Sequence, residues 1–331
     1  MKTAPAGILL LLALASFPGT SLSEHRITTW PNNKNGAVSL TFDDGCKSQL
    51  FLGLSALEKR GYKGTFFLVS NSVTAWDPWR NAARSGHEIG SHTKTHPRLT
   101  KLTPVRMQDE MAGSKVEIDA RITSQECLSF AYPFGDLNRS VETLARNLYA
   151  ASRGGGIACG LNGESVDFSN VKGCSPDDGN DIYGFTDAAE RQGKWLVAIF
   201  HSVDGGKDCY GSWEFNTWTA YLDYLGTRNL WVGTFGAAVK YTRERTSATL
   251  SVLSRSRDQI TLDVTDALDD ELYDEPLTIR SRVPSGWNTV IVEQGDSIVE
   301  EQSTLEGESR VIQYDVVPDR GTISLRNSDA E

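Results

Sequence analysis

The feature that most restricts the fold is a regular alternation of two kinds of segment between residues 37 and 244. Short apolar segments alternate there with helix-like segments, which cover residues 47–60, 78–84, 103–123, 140–147, 186–192, 213–225 and 235–244. The predicted strands cover residues 37–42, 64–69, 87–91, 127–131, 149–152, 195–200 and 230–234. Seven strand-then-helix units indicate a parallel sheet, because parallel strands need a crossover connection. Their number and length favour a distorted (β/α)7-type barrel over an open sheet.

The pattern changes near residue 246, and the composition changes with it. The chain then becomes rich in short β-like segments separated by Pro, Gly, Asn and Asp, at residues 249–253, 259–264, 277–282, 289–294, 297–301, 311–316 and 321–325. Residues 246–331 carry 18 Asp and Glu against 7 Lys and Arg, within a total net charge of −10. We therefore predict a barrel domain in residues 24–245 and an all-β sandwich in residues 246–331.

Residues 1–23 have the pattern of a signal peptide. Lys2 precedes an apolar core at residues 7–17, and small residues follow near Ser21 and Ser23. The core is too short for a comfortable membrane span, and no later segment qualifies. We expect a secreted or periplasmic protein in an oxidising compartment. Cys159 and Cys174 flank a Gly- and Asn-rich loop and are the best candidates for a disulfide, while the odd cysteine count leaves at least one cysteine unpaired.

The charge distribution also bears on partners. Neither half of the chain carries the basic face that nucleic-acid binding requires, so a nucleic-acid partner is not expected. The oligomeric state stays open at this point.

Ionisable or loop-shaping residues follow four of the predicted strands. An Asp-Asp-Gly sequence alone is typical of a surface turn, so the other strand ends decide its interpretation. In a parallel barrel these ends meet at one rim, where functional residues lie. The four sets are Asp43 and Asp44 after the first strand, His92 to His96 after the third, Tyr132 to Gly135 after the fourth, and His201 after the sixth.

Asp44, His92 and His96 are predicted metal ligands. Two imidazoles and one carboxylate that leave a coordination position open are the donor set of catalytic zinc sites. The four-residue spacing of the histidines fits either one face of a helix or a tight loop, and Pro97 disfavours helical geometry at His96.

Asp43 and His201 are predicted to act as base and acid. With Asp44 neutralised by a cation, Asp43 stays ionised and accepts a proton from a water held by the metal. His201 then protonates a leaving group, although a capping or packing histidine is an alternative at this position. The backbone N–H of Phe134 is a candidate oxyanion donor. This set suits hydrolysis of an amide or an ester.

Aromatic residues near the same loops are candidates for a substrate pocket. Tyr132, Trp79 and Trp213 lie in or near loops that follow strands. Stacking on a sugar is one interpretation of these side chains, and packing in the core is the other.

The ordered motifs resemble those of the polysaccharide deacetylases, which are carbohydrate esterase family 4 with NodB homology. The motifs are Thr41 to Gly45, Ser91 to His96, Tyr132 to Gly135 and Leu196 to His201, and the resemblance covers about residues 36–244. It implies a distorted barrel and one divalent metal, most often Zn²⁺, with Co²⁺ or Ni²⁺ as substitutes. It also implies an acetylated glycan substrate, with Asp43 as the base, His201 as the acid, and Asp44, His92 and His96 as metal ligands.

Two departures from the family pattern leave questions about the site. Ala131 occupies the position where the family often has an arginine that orients the base. Residues 176–183 contain aspartates but not the usual tryptophan, and Tyr183 is a candidate wall of the pocket. What orients Asp43 and which aspartate supports His201 stay open. The alternative function is a catalytically inactive carbohydrate-binding protein on the same barrel, against which the complete set of ionisable residues argues.

Overall fold

The computed structural model describes residues 24–154 and 159–328, so the predicted signal peptide in residues 1–23 lies outside the described residues. The chain forms one parallel sheet with surrounding helices and two antiparallel sheets, which confirms the predicted fold class. In the described ranges, no helix has the length and apolar character needed to cross a membrane.

The first described strand, β1 (His25–Ile27), pairs with a strand of the C-terminal region and not with the barrel. The chain then enters the parallel sheet, whose seven strands are β2 (Gly36–Asp43), β3 (Gly64–Leu68), β4 (Glu88–Ser91), β5 (Ser129–Ala131), β6 (Ala151–Arg153), β7 (Trp195–Phe200) and β8 (Leu230–Val232). Their order is β6-β5-β4-β3-β2-β7, and β8 also pairs with β2.

An irregular segment bridges the gap between β6 and β7. Val171 forms a parallel bridge with Arg153 of β6, and Cys174 forms one with Ala198 of β7. The Cys159–Cys174 disulfide anchors this segment, and that predicted pairing is confirmed. The barrel is distorted here, because single bridges replace a regular strand.

In the part of the chain that the structure describes, seven α-helices connect or flank the barrel strands: α1 (Leu54–Glu58), α2 (Asp77–Arg84), α3 (Pro104–Arg121), α4 (Arg139–Leu148), α5 (Ile182–Gln192), α6 (Phe215–Gly226) and α7 (Phe235–Ser247). A turn of π-helix, Gln49–Gly53, leads directly into α1. Side chains cap several N-termini, for example Asn138, which accepts hydrogen bonds from the backbone N–H groups of Ser140 and Val141.

Alternation along β2 determines which of its side chains reach the site. Val38, Leu40 and Phe42 pack into the core between sheet and helices, where Phe42 stacks on Phe66 at 4.8 Å between ring centroids. Successive side chains of a strand point to opposite faces, so Ser39, Thr41 and Asp43 face the other way. The last of these, Asp43, therefore points toward the barrel rim from a strand that is buried throughout.

As described to residue 328, the C-terminal region contains eight strands: β9 (Thr249–Arg255), β10 (Gln259–Thr265), β11 (Leu277–Val283), β12 (Thr289–Gln294), β13 (Ser297–Gln302), β14 (Thr304–Glu306), β15 (Ser309–Val316) and β16 (Ile323–Asn327). They form two antiparallel sheets, with orders β1-β11-β15-β14 and β13-β12-β16-β10-β9. Alternating residues such as Ile260, Leu262 and Val264 are buried. Strand β1 joins this region although it lies inside the predicted barrel range of residues 24–245, so the domain boundaries stay a prediction.

Candidate active site

The predicted catalytic and ligand residues meet at one cavity of about 520 Å³ on the barrel rim. They come from the ends of three parallel strands, with Asp43 and Asp44 at the end of β2, His92 and His96 after β4, and His201 after β7, as the strand-end argument requires. The lining residues are Asp43, Asp44, His92, His96, Arg98, Tyr132, Phe134, Gly135, Arg153, Ser175, Asp178, Ile199, His201 and Tyr210.

Asp44, His92 and His96 bring three potential ligand atoms together. The Nε2 atoms of the two histidines lie 3.1 Å apart, and Asp44 Oδ1 lies 3.7 Å from His92 Nε2 and 3.6 Å from His96 Nε2. His92 Nδ1 lies 2.8 Å from the carbonyl oxygen of Ala131 and must donate to it, because a carbonyl only accepts. The lone pair of His92 Nε2 therefore faces the other two groups, an arrangement that fits a divalent metal.

The loop between the two histidines is tight, and hydrogen bonds to helix α3 stabilise it. Thr93 and His96 both have left-handed backbone angles, with φ of 68° and 58°, and the His96 N–H donates to Thr93 Oγ1 at 3.0 Å. Glu110 of α3 is buried and accepts hydrogen bonds from the backbone N–H groups of Lys94 and Thr95. The tight-loop interpretation is therefore correct, and the helical alternative is wrong.

Four left-handed non-glycine residues line this rim: Asp44, Thr93, His96 and Phe134. Such backbone angles are unfavourable for residues with a Cβ and concentrate at functional sites. The Phe134 ring packs edge-on against the His96 ring at 4.5 Å, and the Arg98 guanidinium lies 4.4 Å above the same ring. The Phe134 turn thus lies directly beside His96, one of the predicted ligands.

Arg153 supplies the arginine that is missing at Ala131. It ends strand β6 and is buried, and its Nη2 donates to Asp43 Oδ1 at 2.7 Å and to Oδ2 at 2.5 Å. Burial raises the pKa of Asp43, but Arg153, together with His92 and His201, outweighs burial and lowers it overall. Asp43 is therefore ionised and oriented. Sequence reasoning missed Arg153, although its position directly after a predicted strand was a usable signal.

His201 lies between two carboxylates. Its Nε2 is 3.9 Å from Asp43 Oδ2, and its Nδ1 is 3.6 Å from Asp177 Oδ2. Burial lowers the pKa of His201, but Asp177, Asp43 and Asp44 outweigh burial and raise it overall. Asp177 is itself fixed by the backbone N–H and hydroxyl of Ser212, at 2.7 and 2.8 Å. Among the aspartates of residues 176–183, Asp177 is therefore the one that faces His201.

The predicted aromatic pocket residues divide into two groups. Tyr132 lines the cavity, and its hydroxyl donates to the Ser169 carbonyl at 2.7 Å. Trp79, Trp213 and Tyr183 do not line it, because Trp79 packs on Phe66, Trp213 packs on Phe200, and Tyr183 packs on Tyr221 and Tyr224. Their assignment to the pocket was wrong. The aromatic ring that sequence reasoning missed is Tyr210, which meets the His201 ring edge-on at 4.9 Å.

A second disulfide, Cys46–Cys209, was not predicted. It joins the loop after β2 to the loop after β7, across 163 residues of sequence, while Cys127 is buried and unpaired. The loop that carries the predicted base is therefore covalently linked to the loop that carries the predicted acid.

Comparison with known proteins shows a similarity to one enzyme family. Residues 31–151 match the family model for polysaccharide deacetylases. This segment of the chain is similar to the polysaccharide deacetylases. The match includes the aspartate pair, the histidine loop and the Phe134 turn of the site just described.

Two curated relatives and one solved structure illustrate the similarity. A gellan lyase from a Bacillus species is 27% identical over 327 residues, covering 90% of this chain and 13% of the relative. The peptidoglycan-N-acetylglucosamine deacetylase PgdA of Listeria monocytogenes is 30% identical over 110 residues, covering 32% of this chain and 23% of the relative. The chain thus spans less than a quarter of either relative. A solved structure described as a putative polysaccharide deacetylase from Mycobacterium smegmatis has a similar fold, with 17% identity, 70% coverage of this chain, 98% coverage of that chain, and a TM-score of 0.51.

Proposed function

We propose that this protein is a secreted, metal-dependent hydrolase that removes acetyl groups from an N- or O-acetylated polysaccharide or oligosaccharide. The observation that carries the proposal is a carboxylate and an imidazole 3.9 Å apart, Asp43 and His201, beside an Asp-His-His cluster in one open cavity. The two disulfides are in keeping with an extracellular protein.

Asp44, His92 and His96 would hold the metal. Two imidazoles and a carboxylate suit Zn²⁺, and Co²⁺ or Ni²⁺ accept the same donors. Such an ion supplies a Lewis acid and makes water a better nucleophile near neutral pH. Burial lowers the pKa of His92 to about 4, so this imidazole is neutral and available as a ligand.

Asp43 acts as the base in this proposal. Its carboxylate accepts a proton from the attacking water while Arg153 holds both of its oxygens. Because the guanidinium lowers the pKa of Asp43, the carboxylate is ready to act well below neutral pH.

His201 acts as the acid. It donates a proton from Nε2 to the departing amine or alcohol, and acetate is the second product. Asp177 on the Nδ1 side supports the protonated ring, and the raised pKa of His201 keeps this proton available near neutral pH. The Phe134 backbone N–H is the proposed donor to the oxyanion of the tetrahedral intermediate.

The exposed rings at the cavity suit a sugar. Phe134 and Tyr210 are 55% and 59% exposed although both line the cavity, and aromatic faces bind the apolar faces of sugar rings. Tyr132 also lines the cavity but is buried.

Acetate release from a panel of N- and O-acetylated glycans tests the proposal. The metal-stripped protein, the protein reconstituted with Zn²⁺, Co²⁺ or Ni²⁺, and Asp43→Asn are compared on each substrate. We expect release only from the reconstituted wild type. If the protein is fully loaded with metal and releases no acetate from any substrate, the proposed deacetylase activity is wrong. Glycan binding under those conditions would support the inactive carbohydrate-binding alternative.

A further inference from the structure

A buried glutamine lies between the loops that carry the proposed base and acid. Gln49 follows Asp43 by six residues, and its side chain is fully buried. Its Nε2 donates to the carbonyl oxygen of Asp43 at 2.6 Å and to the carbonyl oxygen of His201 at 3.1 Å. One side-chain amide therefore connects the backbones of both residues.

The side-chain amide of Gln49 has partners for its donors but none for its acceptor within the described residues, which points to a role beyond stability. A side-chain amide has two N–H donors, and each has a carbonyl partner here. Its Oε1 is buried and has no hydrogen-bond partner within the described residues. An unpaired buried oxygen is unfavourable, and such groups in native proteins call for an explanation. The two donated bonds suggest one, because both go to the backbones of the proposed base and acid.

Other contacts hold the same two loops further from the reacting groups. Asp208 accepts hydrogen bonds from the backbone N–H and the hydroxyl of Ser48, and this hydroxyl in turn accepts from the Val203 N–H. The Cys46–Cys209 disulfide adds a covalent link. These contacts keep the loops adjacent, but none of them involves Asp43 or His201. Gln49, in contrast, donates to the backbone carbonyls of both residues.

We propose that Gln49 is a positioning residue that fixes the distance between Asp43 and His201. The inference rests on the proposed function, since it takes these two residues as base and acid. The Asp43 Oδ2 to His201 Nε2 separation is 3.9 Å, and the attacking water and the leaving group must both fit this geometry. Loss of the amide would let the His201 backbone shift, and small misplacements of catalytic groups are costly to rate.

Gln49→Met and Gln49→Glu test the proposal. Methionine keeps the length but cannot donate, whereas glutamate turns both donors into acceptors that repel the two carbonyls. On an acetylated glycan that the wild type deacetylates, we expect Q49M to lower kcat by about 10- to 100-fold and Q49E to lower it further. KM should change by less than about twofold, because the substrate-facing rings stay in place. Zn²⁺ stoichiometry, measured on the protein alone, should stay that of the wild type.

Gln125 offers a matched control. Its side chain also connects two backbone groups, donating to the His87 carbonyl and accepting from the Ile89 N–H, both at 3.0 Å, but away from the cavity. Q125M should lower thermal stability without changing kcat per Zn²⁺-loaded molecule. If Q49M and Q125M behave alike, Gln49 is only structural and the proposal is wrong.

Amide hydrogen exchange supplies a readout that needs no catalysis. In Q49M, exchange at residues 201–203 should become faster than in the wild type, while Q125M leaves these amides unchanged. If the wild type releases no acetate, the proposed function fails, yet faster exchange in Q49M still supports the positioning of the His201 loop. Unchanged exchange at residues 201–203 in Q49M would overturn the inference.

Discussion

At the barrel rim, buried charges face one another, whereas the buried side chains described after residue 246 in the C-terminal sandwich are uncharged. The charged partners Asp43 and Arg153 are both nearly inaccessible to solvent at the rim. Their counterparts in the sandwich are residues such as Ile260 and Ile279. The rim therefore depends on paired charges and hydrogen bonds, and the sandwich depends on removal of apolar surface from water.

The backbones of the two regions differ in the same sense. The rim holds Asp44, Thr93, His96 and Phe134 in left-handed conformations, while Asp319 is the one such non-glycine residue within the described strands and turns after residue 246. Unfavourable backbone angles and buried charges are retained where a geometry serves a purpose other than stability. The comparison predicts that rim substitutions change rate or charge balance, and that sandwich substitutions change stability alone.

Asp43→Asn should give the largest change at the rim. Asparagine keeps the shape but cannot accept a proton, so kcat should fall by about 10²- to 10⁴-fold. Steady-state acetate release per metal-loaded molecule measures it. Glu88→Gln is the control, since Glu88 is a buried carboxylate outside the cavity whose pKa is raised by burial, and an amide there resembles its neutral form. A wild-type kcat in D43N would show that Asp43 is not the base.

Arg153→Met tests whether the rim depends on charge pairing. The variant leaves the Asp43 carboxylate buried without its guanidinium, which should cost about 3–5 kcal/mol in the free energy of unfolding. The pKa of Asp43 should rise, because the main lowering influence is gone. A base acts only when deprotonated, so the acid limb of the pH–rate profile should move to higher pH.

Arg98→Met is the control for that change. Arg98 carries a more exposed guanidinium, 3.7 Å from Asp136, and exposed ion pairs contribute about 0–1 kcal/mol. Denaturant unfolding of both variants gives the comparison. Equal losses in the two proteins would contradict the special role of the buried pair.

The sandwich and the barrel strands follow from the sequence because their patterns are local. Period-two alternation indicates β10, with Ile260, Leu262 and Val264 inward, and an apolar run indicates β7 at its observed bounds. Strand β1 escaped prediction, because His25–Ile27 is too short to show a pattern and its partner β11 lies some 250 residues away.

The residue types of the site were predictable from the sequence, but the pairs of residues that interact were not. Strand ends and donor chemistry predict that Asp44, His92 and His96 lie close together, and the structure places them so. The partner of Asp43 is Arg153 on β6, four strands from β2 in the sheet order, and only the curvature of the barrel brings the two together. Likewise Trp79 follows a strand but points into the core, because sequence position does not give side-chain direction.

Leu262→Ala tests the sandwich side of the comparison. Leu262 is fully buried in β10, and a cavity of this kind should cost about 2–5 kcal/mol in the free energy of unfolding. Because the sandwich carries none of the rim residues, kcat per folded molecule should be unchanged. Leu253→Ala, at a side chain 54% exposed in β9, should change stability by less than about 0.5 kcal/mol. A lower kcat in L262A would mean that the sandwich shapes the cavity.

Asp177→Asn should give the smallest change and is the most specific test of the rim electrostatics. Asp177 is the carboxylate on the Nδ1 side of His201, and it helps to raise the pKa of that imidazole against the effect of burial. Removing the charge should lower the pKa of His201. An acid acts only while protonated, and activity is lost as pH rises through its pKa, so the alkaline limb of the pH–rate profile should move to lower pH.

The loss of kcat at the optimum should be no more than about tenfold, below the roughly 100-fold or more that a general acid contributes. Asp178→Asn is the matched variant, since Asp178 lines the cavity without a charge contact to His201, and it should leave the alkaline limb where it is. If D177N and D178N move that limb equally, the limb reports the overall charge of the cavity. If only D177N moves it, the limb reports His201, and the rim is distinguished from the sandwich by one specific carboxylate–imidazole contact.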